Sequence, residues 1–155
     1  MRKKALCLVA LVVVACVSPT QASAAAKKKN HKVNTTIVQT ILSSTGNPPL
    51  SGTALYVGTS DGTYGKGATS QTTTFEGGGA FTATGTIFGT RGSTTGTLSG
   101  TGTLNPDGSA SITGKGKVSR GTGIFKGATG SYTFTGSQEK DSNVITLKIT
   151  GNLKY

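Results

Sequence analysis

From Phe81 to the last strand the chain alternates, and few folds tolerate that. Phe81, Ala83, Gly85 and Ile87 stand opposite Thr82, Thr84 and Thr86. Gly96, Leu98, Gly100, Gly102 and Leu104 stand opposite Thr97, Ser99, Thr101 and Thr103. Ala110, Ile112, Gly114, Gly116 and Val118 oppose hydroxyl and Lys positions. Tyr132, Phe134 and Gly136 repeat the pattern, and Ile145, Leu147, Ile149, Gly151 and Leu153 complete it. A period of two sends successive side chains to opposite faces of a strand, so these segments read as antiparallel strands with one buried face and one wet face.

Three earlier segments extend the series. Residues 33–43 are β-branched, with Val33, Ile37 and Ile41 on one side and Val38 and Leu42 on the other, and are expected to be covered on both faces. Ser44 to Pro49 reads as a loop, since Pro cannot donate to a ladder. Residues 52–58 and 68–76 follow as strands, the second with almost no apolar face. Gly77-Gly78-Gly79, Asn105-Pro106-Asp107-Gly108 and the polar run Gln138 to Ser142 are turns. Eight segments with short connections predict an all-β fold: one eight-stranded, antiparallel, up-and-down, calycin-like barrel over residues 33–155. Closure removes edges that carry little protective charge.

Composition alone would allow disorder, because 28 Thr, 15 Ser and 24 Gly make up over two-fifths of the 155 residues. The strict alternation argues against it. Many glycines fall on the apolar face, where they leave no side chain to pack. Two expectations compete. Either they let curved strands close a narrow barrel filled by Phe75, Phe81, Phe125, Tyr132 and Phe134, or they leave a lined cavity for a small apolar ligand. The filled barrel is preferred here, and a cavity of roughly 300 Å³ or more would reverse that preference.

The chain begins with a basic n-region (Arg2, Lys3, Lys4), an apolar run from Ala5 to Val17 and a small-x-small site at Ala22-Ser23-Ala24. Residues 1–24 are therefore expected to be a signal peptide cleaved after Ala24, giving a secreted or periplasmic protein. Cys16 in Val13-Val14-Ala15-Cys16 offers the alternative of a lipid-anchored form. Both cysteines, Cys7 and Cys16, lie in this segment, so cleavage after Ala24 leaves no disulfide. Residues 25–32 (Ala-Ala-Lys-Lys-Lys-Asn-His-Lys) read as a basic flexible arm. The arm is either a solvated tail or an electrostatic tether to an envelope or cell-surface component. From Val33 onward nine Lys/Arg face five Asp/Glu and no basic patch is visible, which favours the tail. No nucleic-acid partner is expected without basic–aromatic interleaving.

The segment Gly121-Thr122-Gly123-Ile124-Phe125-Lys126-Gly127-Ala128-Thr129-Gly130 resembles the allene oxide cyclase-like and dirigent-like barrel superfamily, in its uncharacterised secreted bacterial branch. The resemblance rests on Gly121, Thr122, Gly123, Phe125, Gly127 and Gly130; elsewhere it is confined to strand pattern and length. It implies an eight-stranded barrel, a pocket and a homo-oligomer. It also implies a cyclase- or dirigent-type isomerase or stereochemical guide as an alternative function.

The residues themselves point to no catalytic centre. Asp61, Asp107, Glu139 and Asp141 sit in turns, Glu76 beside the Gly triplet, and His31 in the arm. No metal site, cofactor or nucleotide loop is expected. The Thr-x-Thr pairs are expected on the solvent face, twisted out of any flat array. The candidate ligand-binding residues are Tyr56, Tyr64, Phe81, Tyr132 and Phe134; Tyr56 and Tyr64 either stand exposed near a barrel mouth or are strand residues with a polar tip. The expected function is a non-enzymatic exported module that binds a small lipophilic ligand or an envelope component; a structural cell-surface protein is a further alternative.

Overall fold

The computed structural model describes residues 28–155. The expected signal peptide, its cleavage site, Cys16 and the start of the arm lie outside the described residues. Eight strands follow one another: β1 (Asn30–Asn47), β2 (Ser51–Gly62), β3 (Gly67–Gly77), β4 (Ala80–Gly89), β5 (Gly92–Leu104), β6 (Ala110–Gly121), β7 (Thr129–Gln138) and β8 (Val144–Lys154). Each pairs antiparallel with its neighbour in sequence, and β1 pairs with β8 to close the barrel. Thr35 stands between Gly62 of β2 and Ile149 of β8, so β1 is the seam of closure. A register shift between Ile41 and Ser43 marks a bulge on β1.

The alternation read from the sequence sets the inner and outer walls. Val33, Ile37, Ala54, Phe81, Phe134, Ile145, Leu147 and Ile149 point inward and are buried. Thr72, Thr74, Thr82, Thr84, Thr133 and Thr135 are solvent-exposed, as expected. Three local expectations are corrected. β1 is covered on one face only, since Val38 and Leu42 are exposed on the outer wall. Residues 44–47 are not loop but pair with residues 51–54, and the tight turn between them carries the cis Pro48–Pro49 bond. Asn30, His31 and Lys32, read as the end of a flexible arm, are paired with Lys154, Leu153 and Asn152.

The two barrel ends differ. At one end, the corner Gly121–Gly130 folds across the opening as a single 3-10 turn, Gly123–Phe125, and carries Phe125 into the bore. Phe125 is fully buried, Leu153 beside it likewise, and Tyr64 nearly so. The Phe125 ring lies 5.0 Å from Tyr155 and 5.1 Å from Tyr64, centroid to centroid. Backbone bonds pin the corner in place: Thr122 N–H donates to Ser93 O (2.9 Å) and Ile124 N–H to Arg91 O (3.2 Å). Lys29 and Tyr155 exchange backbone hydrogen bonds across the same end. Among the described residues, the other end, made by the β1–β2, β3–β4, β5–β6 and β7–β8 turns, has no such plug.

The motif glycines differ in what they need. Gly123 has φ +59°, and a Cβ there would fall 2.5 Å from the Arg91 carbonyl oxygen. Gly127 has φ +72°, but its nearest neighbour would be the flexible Lys28 ammonium at 3.5 Å. Gly127→Ala should therefore cost about 1–2 kcal/mol of left-handed strain alone. Gly123→Ala should cost about 2–5 kcal/mol, because the β4–β5 turn must also move. Urea denaturation of the two variants checks the ranking; equal losses would contradict this account of the corner.

A hollow barrel wall as candidate site

The plug leaves the rest of the bore open. A cavity of about 680 Å³ runs from mid-barrel to the unplugged mouth. The preference for a filled barrel is thus overturned. The glycines explain why, and both expectations about them hold in part. A Cβ on Gly114 would fall 2.3 Å from Phe134 Cζ, and one on Gly116 would fall 2.3 Å from Tyr132 Cζ. The tips of the two rings occupy the space that side chains on β6 would take. Aromatic side chains line the wall instead of meeting at the axis: Phe75, Phe81 and Phe134 form a chain with 6.3 Å between successive centroids. The bore stays free between that chain and the β8 residues Ile145, Leu147 and Ile149.

The interior is less apolar than the sequence reading held. Gln39 from β1, Gln71 and Thr73 from β3, and Gln138 from β7 also line the cavity. Gln39 and Thr73 are buried. Gln71 Nε2 donates to Thr73 Oγ1 at 2.8 Å, leaving the Gln71 carbonyl oxygen toward other partners. Gln138 Nε2 donates to the Ser142 carbonyl and ties the β7–β8 turn to the wall. Tyr56 and Tyr132 contribute phenols. Burial raises the Tyr56 pKa, and burial followed by the nearby Tyr64 phenol pushes that of Tyr132 up to about 12. Both therefore stay protonated at physiological pH and can donate. Among the described residues, no Asp, Glu, Lys, Arg or His lines this cavity.

Four of the five candidate ligand residues, Tyr56, Phe81, Tyr132 and Phe134, come together on this wall. Tyr64 does not. It packs on Phe125 at the plugged end, where burial raises its pKa. Tyr56 and Tyr64 are buried, which excludes the reading that exposes them at a mouth; Tyr56 is the strand residue with a polar tip, and Tyr64 lies in the β2–β3 turn. The mouth is instead framed by Pro49, Leu50 and Leu104, with Leu50 and Leu104 exposed. Asp61, expected in a turn, instead lies in β2 opposite Thr36, because the strand runs on to Gly62. Asp107 is a turn residue as expected: it accepts from the Ser109 hydroxyl (2.7 Å) and backbone N–H (2.9 Å), and these bonds hold its pKa low. Glu76 accepts from Thr82 on the outer wall. A second depression of about 890 Å³ lies on that outer wall, among Thr72, Thr84, Thr97 and Thr133. It is more open to solvent than the bore and is lined mainly by strand hydroxyls with Lys115 and Lys117.

Gln39, Gln71 and Gln138 were missed because Gln was read by type and not by parity. Gln71 is four residues before Phe75, and Gln39 is two after Ile37, so each shares the inner face. Comparison with protein-family models, with curated proteins and with solved structures finds no match.

The Tyr132 environment sets a pH response. Its folded pKa lies above the unfolded value of roughly 10, so the neutral phenol contributes stability that is complete below about pH 10 and is lost as pH rises toward 12. Between those limits the loss should be on the order of 2 kcal/mol. Tyr132→Phe should flatten this part of the stability–pH profile, as followed by urea denaturation; an unchanged slope would place Tyr132 in water.

Proposed function

We propose that this protein is an exported, non-enzymatic β-barrel module that binds an uncharged amphipathic small molecule inside its bore. The observation that carries the reading is the half-plugged barrel: one end is stopped by Phe125, and the other opens on a cavity of about 680 Å³. That volume falls in the range of small-molecule sites, roughly 300–1,000 Å³. The lining supports the ligand class. Rings and β8 aliphatics offer a continuous apolar wall, while three glutamines, Thr73 and two protonated tyrosines supply hydrogen bonds. A charged head group would lie in this bore without a counter-charge, which costs several kcal/mol. General acid–base chemistry finds no carboxylate, His or Lys among the lining residues, so binding is preferred to a cyclase- or dirigent-type reaction. Kinship with the allene oxide cyclase-like and dirigent-like barrels is part of the proposal; it rests on the Gly121–Gly130 segment and the strand count. Export rests on the composition of residues 1–24.

Competition for a neutral solvatochromic dye tests the reading. A monoacylglycerol should displace the dye, and the fatty-acid anion of the same chain length should bind at least about tenfold more weakly. Ala110→Trp, at the half-buried mouth, should obstruct dye uptake while leaving the thermal transition in place. Preference for the anion, or uptake unaffected by Ala110→Trp, would contradict it.

A further inference from the structure

We propose that the plugged end of the barrel is a docking surface for an anionic lipid bilayer, which orients the open mouth away from the membrane. The sequence spreads its cations along the chain, but the up-and-down topology returns every second turn to the same end. Lys66 and Arg91 come from the β2–β3 and β4–β5 turns, Arg120 from the end of β6 and Lys126 from the β6–β7 corner. Lys154 ends β8, and Lys28, Lys29 and Lys32 join them where β1 begins. Lys28 Nζ donates to the Gly127 carbonyl, which fixes the start of the described chain onto this surface. Asp61 is the one carboxylate side chain of the described residues near this end, with the terminal carboxylate of Tyr155. Four of the five acids, Glu76, Asp107, Glu139 and Asp141, flank the opposite mouth. The barrel is therefore electrically polar along its axis, although its sequence from Val33 onward is only mildly basic.

Charge alone would suit any polyanion. Two exposed apolar side chains at the same rim favour lipid. Phe88 is 51 % exposed on the outer wall at the end of β4, and Ile124 is 46 % exposed at the top of the corner. Their backbones are linked: Phe88 pairs with Ser93, Ser93 bonds Thr122, and Ile124 bonds Arg91. Cations around apolar side chains match the head-group region of an anionic bilayer, where the cations meet phosphates and the apolar groups reach the acyl boundary. A glycan or nucleic acid gives Phe88 and Ile124 no such medium. The inference does not rest on the bore being occupied.

Co-sedimentation with vesicles of phosphatidylcholine, alone or mixed with phosphatidylglycerol, tests it on the full chain. The protein should pellet with the anionic vesicles, release at high salt, and stay in solution with the neutral ones. The Lys66→Gln/Lys126→Gln/Lys154→Gln variant should bind about a hundredfold more weakly. Lys115→Gln/Lys117→Gln/Lys148→Gln, an equal charge change on the mid-barrel wall, should change binding by less than about fivefold. Phe88→Ser/Ile124→Ser should weaken binding about tenfold. All these positions are exposed, and a retained thermal transition confirms folding. Equal effects of the two charge variants, binding to neutral vesicles, or no loss in the Phe88/Ile124 variant together with equally tight binding of a sulfated glycan would each overturn the proposal. Dye uptake into the bore should be the same in all variants, so failure here is distinct from failure of the ligand reading.

Discussion

The contact on which the structure depends is the tip of an aromatic ring set against bare backbone. Phe134 rests on Gly114 and Tyr132 on Gly116, each at a distance that no Cβ would permit. A barrel of eight strands is normally just wide enough for its side chains to fill. Here four inward positions of β5 and β6 (Gly100, Gly102, Gly114 and Gly116) carry no side chain. The rings from β4 and β7 spread along the wall into that space. The volume they vacate is the bore. Glycine in a strand costs about 0.5–1 kcal/mol relative to Ala, and in this molecule the cost is offset by ring burial and by ladders that close on themselves.

Hollow barrels need something else to hold their ends. The corner Gly121–Gly130 supplies it at one end by folding across the opening with Phe125 beneath it. Tyr64 from the β2–β3 turn and Tyr155 just after β8 pack on that ring, so the turn, the end of β8 and the corner meet in one aromatic cluster. The mouth turns are held by hydrogen bonds instead, Asn105 with Ser109 in the β5–β6 turn and Gln138 with Ser142 in the β7–β8 turn. The division separates two tasks along one axis: a packed, basic end that can meet a surface, and an open, acidic end that can admit a ligand.

The fold was legible because its rule is local. Period two and turn residues are properties of neighbouring positions, and they located all eight strands and placed the Thr-x-Thr pairs on the outer wall. The corner was legible as a backbone device, and Gly123 shows why: its conformation and its approach to the Arg91 carbonyl exclude a side chain. The bore was not legible. Whether glycines shrink a barrel or hollow it depends on where the rings from other strands go, which is a non-local fact. Gln39, Gln71 and Gln138 face inward by parity, but polar type pointed the other way. Tyr56 and Tyr64 stayed open between rim and wall, because a phenol suits either until burial decides. The charge polarity was hidden too, because cations separated by dozens of residues become neighbours only when the meander brings alternate turns to one end.

The central claim is that the barrel is hollow and takes up an uncharged guest. Native mass spectrometry of the protein purified from its own host, set against the same sample denatured in organic solvent, tests it most directly. The account predicts a native mass that exceeds the chain mass by one small neutral molecule, released on denaturation, or gained by empty protein on incubation with a monoacylglycerol. Identical native and denatured masses before and after that incubation would contradict it.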